Sequence, residues 1–451
     1  MPKIDRTFPF FLLLMSKYGI KYPPLKQKRD NMAKASSLSA SQNASIVRCN
    51  DCNALVALSE LKKSQQAECP RCHNVLKSQD RWRLRRCAII AISILILMPF
   101  ALTYPLLSVD LLGITVDASV WGGVWKMATE GYPYTAFLVF ICAVFLPVSF
   151  ALLVILLYLA KLTHQKPRNL LFALGYIKPW VMFDVYLVAL GVSAFKVRDY
   201  ATIHIDIYLI AFVLTSLLTT LLFIKINPKE LWNDFYPQNQ HLIKISPENP
   251  PHFCRTCEYT FEHSAFDRKS HTICPRCHSR LDTPSYVNLQ NTWATLIAGI
   301  IMLFPANIFP ISYTIMNNVA TGDTLMSGVI TFIGMGSYFV AFVVFFASIF
   351  VPVSKVFIMI YLLLSIHFQW KHSIKWQMSL FHIVHFVGRW SMLDLFVLSL
   401  MMSLVTRGQI INFSVGPAAL YFGIAVFLTM LSTTFFDTRL LWNIYDKQPS
   451  K

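Results

Sequence analysis

Eight of the ten cysteines fall into two matching sets. Cys49-x2-Cys52 is followed after sixteen residues by Cys69-x2-Cys72, and Cys254-x2-Cys257 after the same interval by Cys274-x2-Cys277. Two CxxC knuckles at this spacing can close four thiolates around one soft cation, the chemistry of a four-cysteine zinc ribbon. Such a site keeps no open coordination position, so its plain role is structural; thiol–disulfide exchange and metal sensing are the other chemistries these residues allow. The sequence CPRCH stands verbatim at both second knuckles, which places His73 and His278 just after the last cysteines. With four thiols present at each site, these histidines read as neighbours rather than ligands. Cys87 and Cys142 lie in apolar surroundings and read as small core residues.

A second set of residues carries charge into apolar sequence. Gly388–Leu400 reads GRWSMLDLFVLSL and contains Asp394; Lys178–Leu190 reads KPWVMFDVYLVAL and contains Asp184, with Trp180 answering Trp390. An ionised carboxylate within hydrocarbon is costly and rarely present without a role. Lys355 stands in another apolar run. Ser348, Pro352 and Lys355 recur at i, i+4 and i+7 and share a face of a regular helix; Ser391 and Asp394, at i and i+3, share a face of another. Thr429 offers a hydroxyl in the last apolar run. The set suits either a static buried ion pair of Lys355 with Asp394, or a pair that titrates and exchanges partners.

The elements that must position these groups are membrane-spanning helices. Of 451 residues, 55% are hydrophobic and only 14% charged, well below the charge content of a soluble domain. Several apolar runs reach the length of about 20 residues that a span requires. Helices are predicted near Cys87–Leu107, Tyr134–Ala160, Pro179–Val197 and Ile207–Ile226, then near Thr292–Tyr313, Ser337–Ile366, Gly388–Val405 and Pro417–Phe436. The net charge of +17 does not point to nucleic acid, because surplus Lys and Arg in a membrane protein set orientation and meet anionic lipid. Arg81, Arg83, Arg85, Arg86, Lys161, Lys166, Arg168, Lys178, Lys371 and Lys375 fall on one side; the opposite loops hold little beyond Lys126, Arg198 and Arg407. Both termini and both cysteine sets are therefore expected in the cytoplasm, whose reducing conditions suit free thiols.

The chain reads as one unit used twice. Tyr104-Pro105 answers Phe309-Pro310, Pro147-Val148-Ser149 answers Pro352-Val353-Ser354, and Leu231-Trp232 answers Leu441-Trp442. The offset is 205 before the third span of each half and 210 after it. The expected fold is mainly α: a polytopic membrane protein of two parallel repeats of four transmembrane helices, each preceded by a small cytoplasmic zinc ribbon. The expected boundaries are a disordered N-terminal extension at 1–46, ribbons at 47–80 and 250–284, and transmembrane modules at 81–240 and 285–445. Met32 is a second candidate start. The halves differ where the polar residues lie: Lys355 stands opposite Phe150, and Ser348 opposite Ala143.

The two CxxC-x16-CxxC ribbons, CPRCH, RWSMLDLF, VPVSKV and the eight-helix arrangement resemble the paraquat-inducible protein A family over about Val47 to Tyr445. The resemblance implies a Gram-negative inner-membrane protein working with a periplasm-spanning tunnel protein built of stacked MCE domains. It implies phospholipid as cargo, and a transport polar network that falls here on Lys355, Asp394, Ser391, Ser348, Thr429 and Asp184. No G-x-x-x-x-G-K-[ST] loop for ATP occurs in the chain. A buried acid and base can instead couple to protons. No catalytic constellation is expected. The rival readings are a redox or sensory membrane protein that uses its cysteines, and a non-transporting anchor for the tunnel protein.

Overall fold

The computed structural model describes residues 45–446, apart from 50, 53, 59–64, 79–81, 112–113, 199–201, 238–251, 255, 262–264, 267–271, 282–284, 317–318, 335, 370–373 and 405–410. The expected disordered extension, except its last two residues, lies outside the described residues. The chain opens with two antiparallel hairpins, β1 (Ser45–Arg48) with β2 (Leu55–Leu58) and β3 (Gln66–Glu68) with β4 (Val75–Ser78). Their turns carry the first cysteine set. α1 (Leu84–Thr103) leads to the hairpin of β5 (Leu107–Leu111) and β6 (Ile114–Ala118), then to the short helix α2 (Val120–Thr129). The long helical run α3 (Pro133–Leu162) follows, then α4 (Arg168–Ile177) and α5 (Phe183–Arg198). The first half ends with β7 (Thr202–Ile205), α6 (Tyr208–Lys225) and α7 (Pro228–Phe235).

The same order then recurs. β8 (His252–Phe253) pairs with β9 (Thr260–Phe261), and β10 (Ala265–Phe266) with β11 (Thr272–Ile273). After them come α8 (Ser285–Ile308), β12 (Ser312–Met316), β13 (Val319–Asp323), α9 (Leu325–Gly334) and α10 (Tyr338–His367). The chain closes with α11 (Ile374–Val387), α12 (Leu393–Leu404), β14 (Ile411–Val415), α13 (Ala418–Phe435) and α14 (Arg439–Asp446).

Among the described residues, eight helical runs are long and apolar enough to cross a membrane. Large apolar side chains are exposed along them, including Ile89, Ile92 and Ile96 on α1 and Phe339, Phe342 and Phe357 on α10. A row of such residues suits contact with lipid rather than water. The chain is a multi-pass membrane protein. Its third and seventh runs begin at Arg168 and Ile374, earlier than the sequence suggested, because α4 and α11 precede the spans proper. The five-residue difference between halves is mostly taken up here: α4 has 10 residues and α11 has 14.

Two local devices shape the spans. Pro147 and Pro352 lack the N–H that would bond the carbonyl four residues back, at Ala143 and Ser348. The chain takes an extra residue into a π turn just there, at Ile141–Phe145 and Phe346–Phe350. The third and seventh runs are interrupted by 3-10 turns at Lys178–Trp180 and Gly388–Met392. At the opposite end of the bundle from the cysteines, β6-β5-β7 and β13-β12-β14 form two small antiparallel sheets. Each ties the start of a hairpin after the first span to the strand before the fourth.

The halves interlock through α12, which packs on both α5 and α2. Gly123 of α2 lets the backbones close in: a Cβ there would collide with the Ser399 carbonyl of α12. Ser119, which caps α2 through Gly122 N–H, donates its own backbone N–H to Ser403 Oγ at 3.2 Å. Trp180 packs on Phe427 at 5.0 Å, a second contact across the halves.

Candidate functional site

The cysteines form two closed tetrads. In each, the four sulfurs lie within 4.8 Å of one another, and all but half-buried Cys72 are buried. Closest approaches are 3.4 Å for Cys49–Cys72, 3.5 Å for Cys52–Cys69, 3.4 Å for Cys254–Cys277 and 3.7 Å for Cys257–Cys274. All ten cysteines are free thiols. Four thiolates at Zn–S bonds of about 2.3 Å would stand roughly 3.8 Å apart, so the donor set fits a tetrahedral metal ion. Hydrogen bonds from Cys52 and Cys72 pull the Cys49 thiol far down, and those from Cys257, Cys274 and Cys277 do the same for Cys254.

Knuckle geometry explains the histidines. His73 and His278 have φ of 59° and 63°, and each donates its backbone N–H to the first cysteine of its knuckle. They hold the left-handed corner of the turn, and each tetrad is made of cysteine alone.

The arginine of CPRCH has a role that sequence reasoning missed. Arg276 Nη1 donates to Asn233 Oδ1 at 3.0 Å and to Cys257 O at 3.4 Å; Nη2 donates to Trp232 O and, at 2.6 Å, to Tyr236 O. These bonds seat the second cysteine module on α7, with Lys229–Glu258 at 2.7 Å beside them. Arg71, its counterpart, donates to Cys52 O at 3.3 Å and covers the Trp442 ring at 4.4 Å. Trp442 belongs to α14, so the first module docks on the last helix of the chain. Thr438 Oγ1 to Asp51 O (3.4 Å) and His382 Nε2 to Asp51 Oδ2 (3.6 Å) complete that contact. Burial raises the Asp51 carboxyl, with Cys49 adding to it, and burial lowers the Arg276 guanidinium. The verbatim repetition of Arg within CPRCH was the available signal.

Inside the bundle, Ser348 and Asp394 meet. Ser348 Oγ donates to Asp394 Oδ1 at 2.6 Å, and both residues are buried. The π turn orients Ser348, and Asp394 sits in the first turn of α12, immediately after the Gly388–Met392 break. Lys355 is not brought onto Asp394. It is only 2% exposed, and its Nζ makes no hydrogen bond among the described residues. That Nζ lies against Gly388, where a Cβ would stand 3.2 Å away. Lys355 stands seven residues, about two turns, beyond Ser348, and Gly388 stands six before Asp394, so the lysine meets the break rather than the carboxylate. Ser391 is buried one turn before Asp394, its hydroxyl without a partner among the described residues. Thr429, buried on α13, donates to Val426 O at 3.0 Å. Asp184 is half-buried in the first turn of α5. At the corresponding places of the first half, Ala143 and Phe150 are wholly apolar and buried.

Eight apolar runs, two closed thiol tetrads and a hydrogen-bonded carboxylate within the bundle define a multi-pass membrane protein with two metal-type cysteine modules. The chain belongs to the paraquat-inducible protein A family, whose profile matches residues 84–236 and again residues 289–446. It is 62% identical over 406 residues to a probable intermembrane transport protein of Haemophilus influenzae, covering 89% of this chain and 97% of that one. It is 41% identical over 399 residues to lipophilic envelope-spanning tunnel protein A of Escherichia coli, covering 88% and 91%. Intermembrane transport protein PqiA of the same organism is 30% identical over 416 residues, covering 90% and 97%. No solved structure matches the chain.

Proposed function

We propose that the chain is the inner-membrane subunit of an MCE-type lipid transport system. It hands phospholipid between the inner membrane and a periplasm-spanning MCE-domain tunnel protein (LetB-like). The relatives named for intermembrane transport and for an envelope-spanning tunnel support this reading. The observation that carries it is the buried Ser348–Asp394 bond with Lys355 about two turns along the same helix as Ser348, in one half only. A carboxylate and an ammonium kept in a bundle at such cost suit a moving part better than a scaffold.

In this reading the halves are two parallel repeats about an axis near the membrane normal. Both cysteine modules and both termini face the cytoplasm, and each tetrad holds one structural zinc. The transport network comprises Lys355, Asp394, Ser391, Ser348, Thr429 and Asp184. Protonating Asp394 removes its charge and weakens the charge-assisted bond from Ser348. That frees the start of α12, and α12 carries the contact between halves. Proton binding is thereby coupled to how the halves meet. The reading involves no covalent catalysis.

The deciding experiment is lipid transfer between vesicles by the purified chain with its tunnel partner, with and without a proton gradient. Gradient-driven transfer that Asp394→Asn abolishes is the expected result. Transfer by Lys355→Ala at the wild-type rate would favour a non-transporting anchor instead. A redox or sensory role requires reactive thiols, and the closed tetrads speak against it.

A further inference from the structure

We propose that the cysteine-module ends of the two interrupted spans form a phosphate-binding site for a membrane lipid headgroup, gripped by Lys178 from one half and Arg389 from the other. This deepens the lipid-transport reading and rests on it. Both residues lie in or beside the 3-10 turns, and both face one ring. Lys178 Nζ is 4.8 Å from the Phe223 centroid and Arg389 Cζ is 4.7 Å from it. Lys178 also donates to Ile226 O at 2.6 Å, which fixes it at the end of α6 that adjoins α7 and the second cysteine module.

The one carboxylate among the described residues that acts on Lys178, Glu230, does so from beyond ion-pair distance. Among the described residues no carboxylate forms an ion pair with Lys178, Arg389 or Lys355. Lys355 Nζ, buried and without a hydrogen-bond partner, lies against Gly388, the residue next to Arg389. Lys178 and Arg389 meet at the two breaks, with Lys355 deeper in the bundle behind Gly388, and no carboxylate among the described residues stands within ion-pair distance of any of the three. Unpaired buried charge is costly, and an anion seated there relieves it. An ammonium with three donors beside a guanidinium fork is the donor set that phosphate oxygens take. The surroundings suit a lipid over a free ion. Phe386, 49% exposed, has its ring centre 6.0 Å from Arg389 Cζ, and Trp390, 37% exposed, follows Arg389 in the chain. Aromatic rings beside cations at a span's end mark the headgroup level of a bilayer. A phosphodiester bound here stands below Lys355, and so below the Ser348–Asp394 bond.

The test is direct binding by the full-length chain in neutral detergent, read by native mass spectrometry without the tunnel partner. The probes are phosphatidylglycerol, diacylglycerol with the same chains, and inorganic phosphate. Phosphatidylglycerol is expected to bind about tenfold or more tighter than either of the others. Lys178→Gln with Arg389→Gln should weaken phosphatidylglycerol by about tenfold while Arg389→Lys keeps most of the affinity. Diacylglycerol binding as tightly as phosphatidylglycerol would overturn the site, as would wild-type affinity in the double variant. Inorganic phosphate binding as tightly would overturn the lipid as its occupant. The comparison of probes on the wild-type chain stands even if the double variant fails to fold. Because no transfer is measured, a chain that binds but does not transfer lipid refutes the transport reading alone, and a chain that transfers without this binding refutes the site alone.

Discussion

Tyr186 and Phe396 stand 210 residues apart, at the same place in the two halves, and their rings meet with centroids 5.1 Å apart. Residues related by a two-fold axis touch each other only beside that axis. The contact therefore supports the parallel arrangement of halves proposed above, with α5 and α12 at its centre. Both rings are fully buried. Phe396→Ala should cost about 3–5 kcal/mol, the usual range for emptying a buried aromatic site. A fall in the detergent melting temperature checks this, and a melting curve matching wild type would mean that the halves do not rest on this contact.

Lys355 and Asp394 should respond differently to neutralisation, because they are not paired with each other. Lys355→Met removes a buried charge that has no hydrogen bond and is expected to keep or raise thermal stability. Asp394→Leu takes the acceptor from Ser348 and should cost about 1–3 kcal/mol. Both should stop lipid transfer if the network moves protons. In the double variant the two stability effects should simply add, since the groups are not paired, and transfer should stay absent. Transfer by that double variant would rule out proton coupling through these residues.

Sidedness can be read with an impermeant maleimide on intact cells. Thr129 at the end of α2 and Asn169 on α4 are both exposed and lie towards opposite ends of the bundle. Thr129→Cys should label from outside and Asn169→Cys only after permeabilisation. Labelling of both from one side contradicts the proposed orientation.

Metal analysis should give about two zinc ions per chain, lost together with the tetrads' fold on chelation. Acid should act in the same direction, since thiolates must shed protons to bind metal and regain them as pH falls. Cys52→Ser and Cys257→Ser should each remove one ion. Retention of both ions in either variant would argue against four-cysteine ligation.

The two arginines of CPRCH should differ in weight. Arg276 makes four hydrogen bonds, three of them to the segment around α7, whereas Arg71 donates to Cys52 O within its own module and covers the Trp442 ring. Arg276→Ala should raise hydrogen exchange throughout its module. Arg71→Ala should cost only about 1 kcal/mol, the scale of a partly exposed cation–π contact. Arg276→Lys is not expected to rescue, because an ammonium cannot span several carbonyls as a guanidinium does. Equal exchange in the two alanine variants would show that docking does not depend on these bonds.

Much of this was legible in the chain itself. The cysteine tetrads follow from spacing alone, since a CxxC knuckle has nearly one conformation. The spans follow from length and hydropathy, and Asp394 stands out because its surroundings are apolar. The pairing of β5 with β6 was missed, although Ser108, Asp110, Thr115 and Asp117 alternate with apolar residues as a hairpin should. Apolar spans on either side masked that short alternation. Pairing with β7 was beyond reach, because its partner lies some 90 residues along the chain. The partner of Asp394 was misjudged for a local reason: a shared helix face does not fix depth, and Lys355 lies about two turns beyond Ser348, against Gly388. Which helix each cysteine module rests on depends on tertiary contacts that spacing does not encode.

The docking of the first cysteine module on α14 sets an order for biosynthesis. Residues 45–78 leave the ribosome before any span, yet Trp442, which Arg71 covers, is made near the end. Through nearly the whole of synthesis and membrane insertion, that module has nothing to rest on. The second module has no such wait, since α7 precedes it. A truncated chain would therefore leave the first cysteine module loose, while a finished one covers it. A module made early thus reports whether α14 has been made, and quality-control proteases have a distinction they can act on.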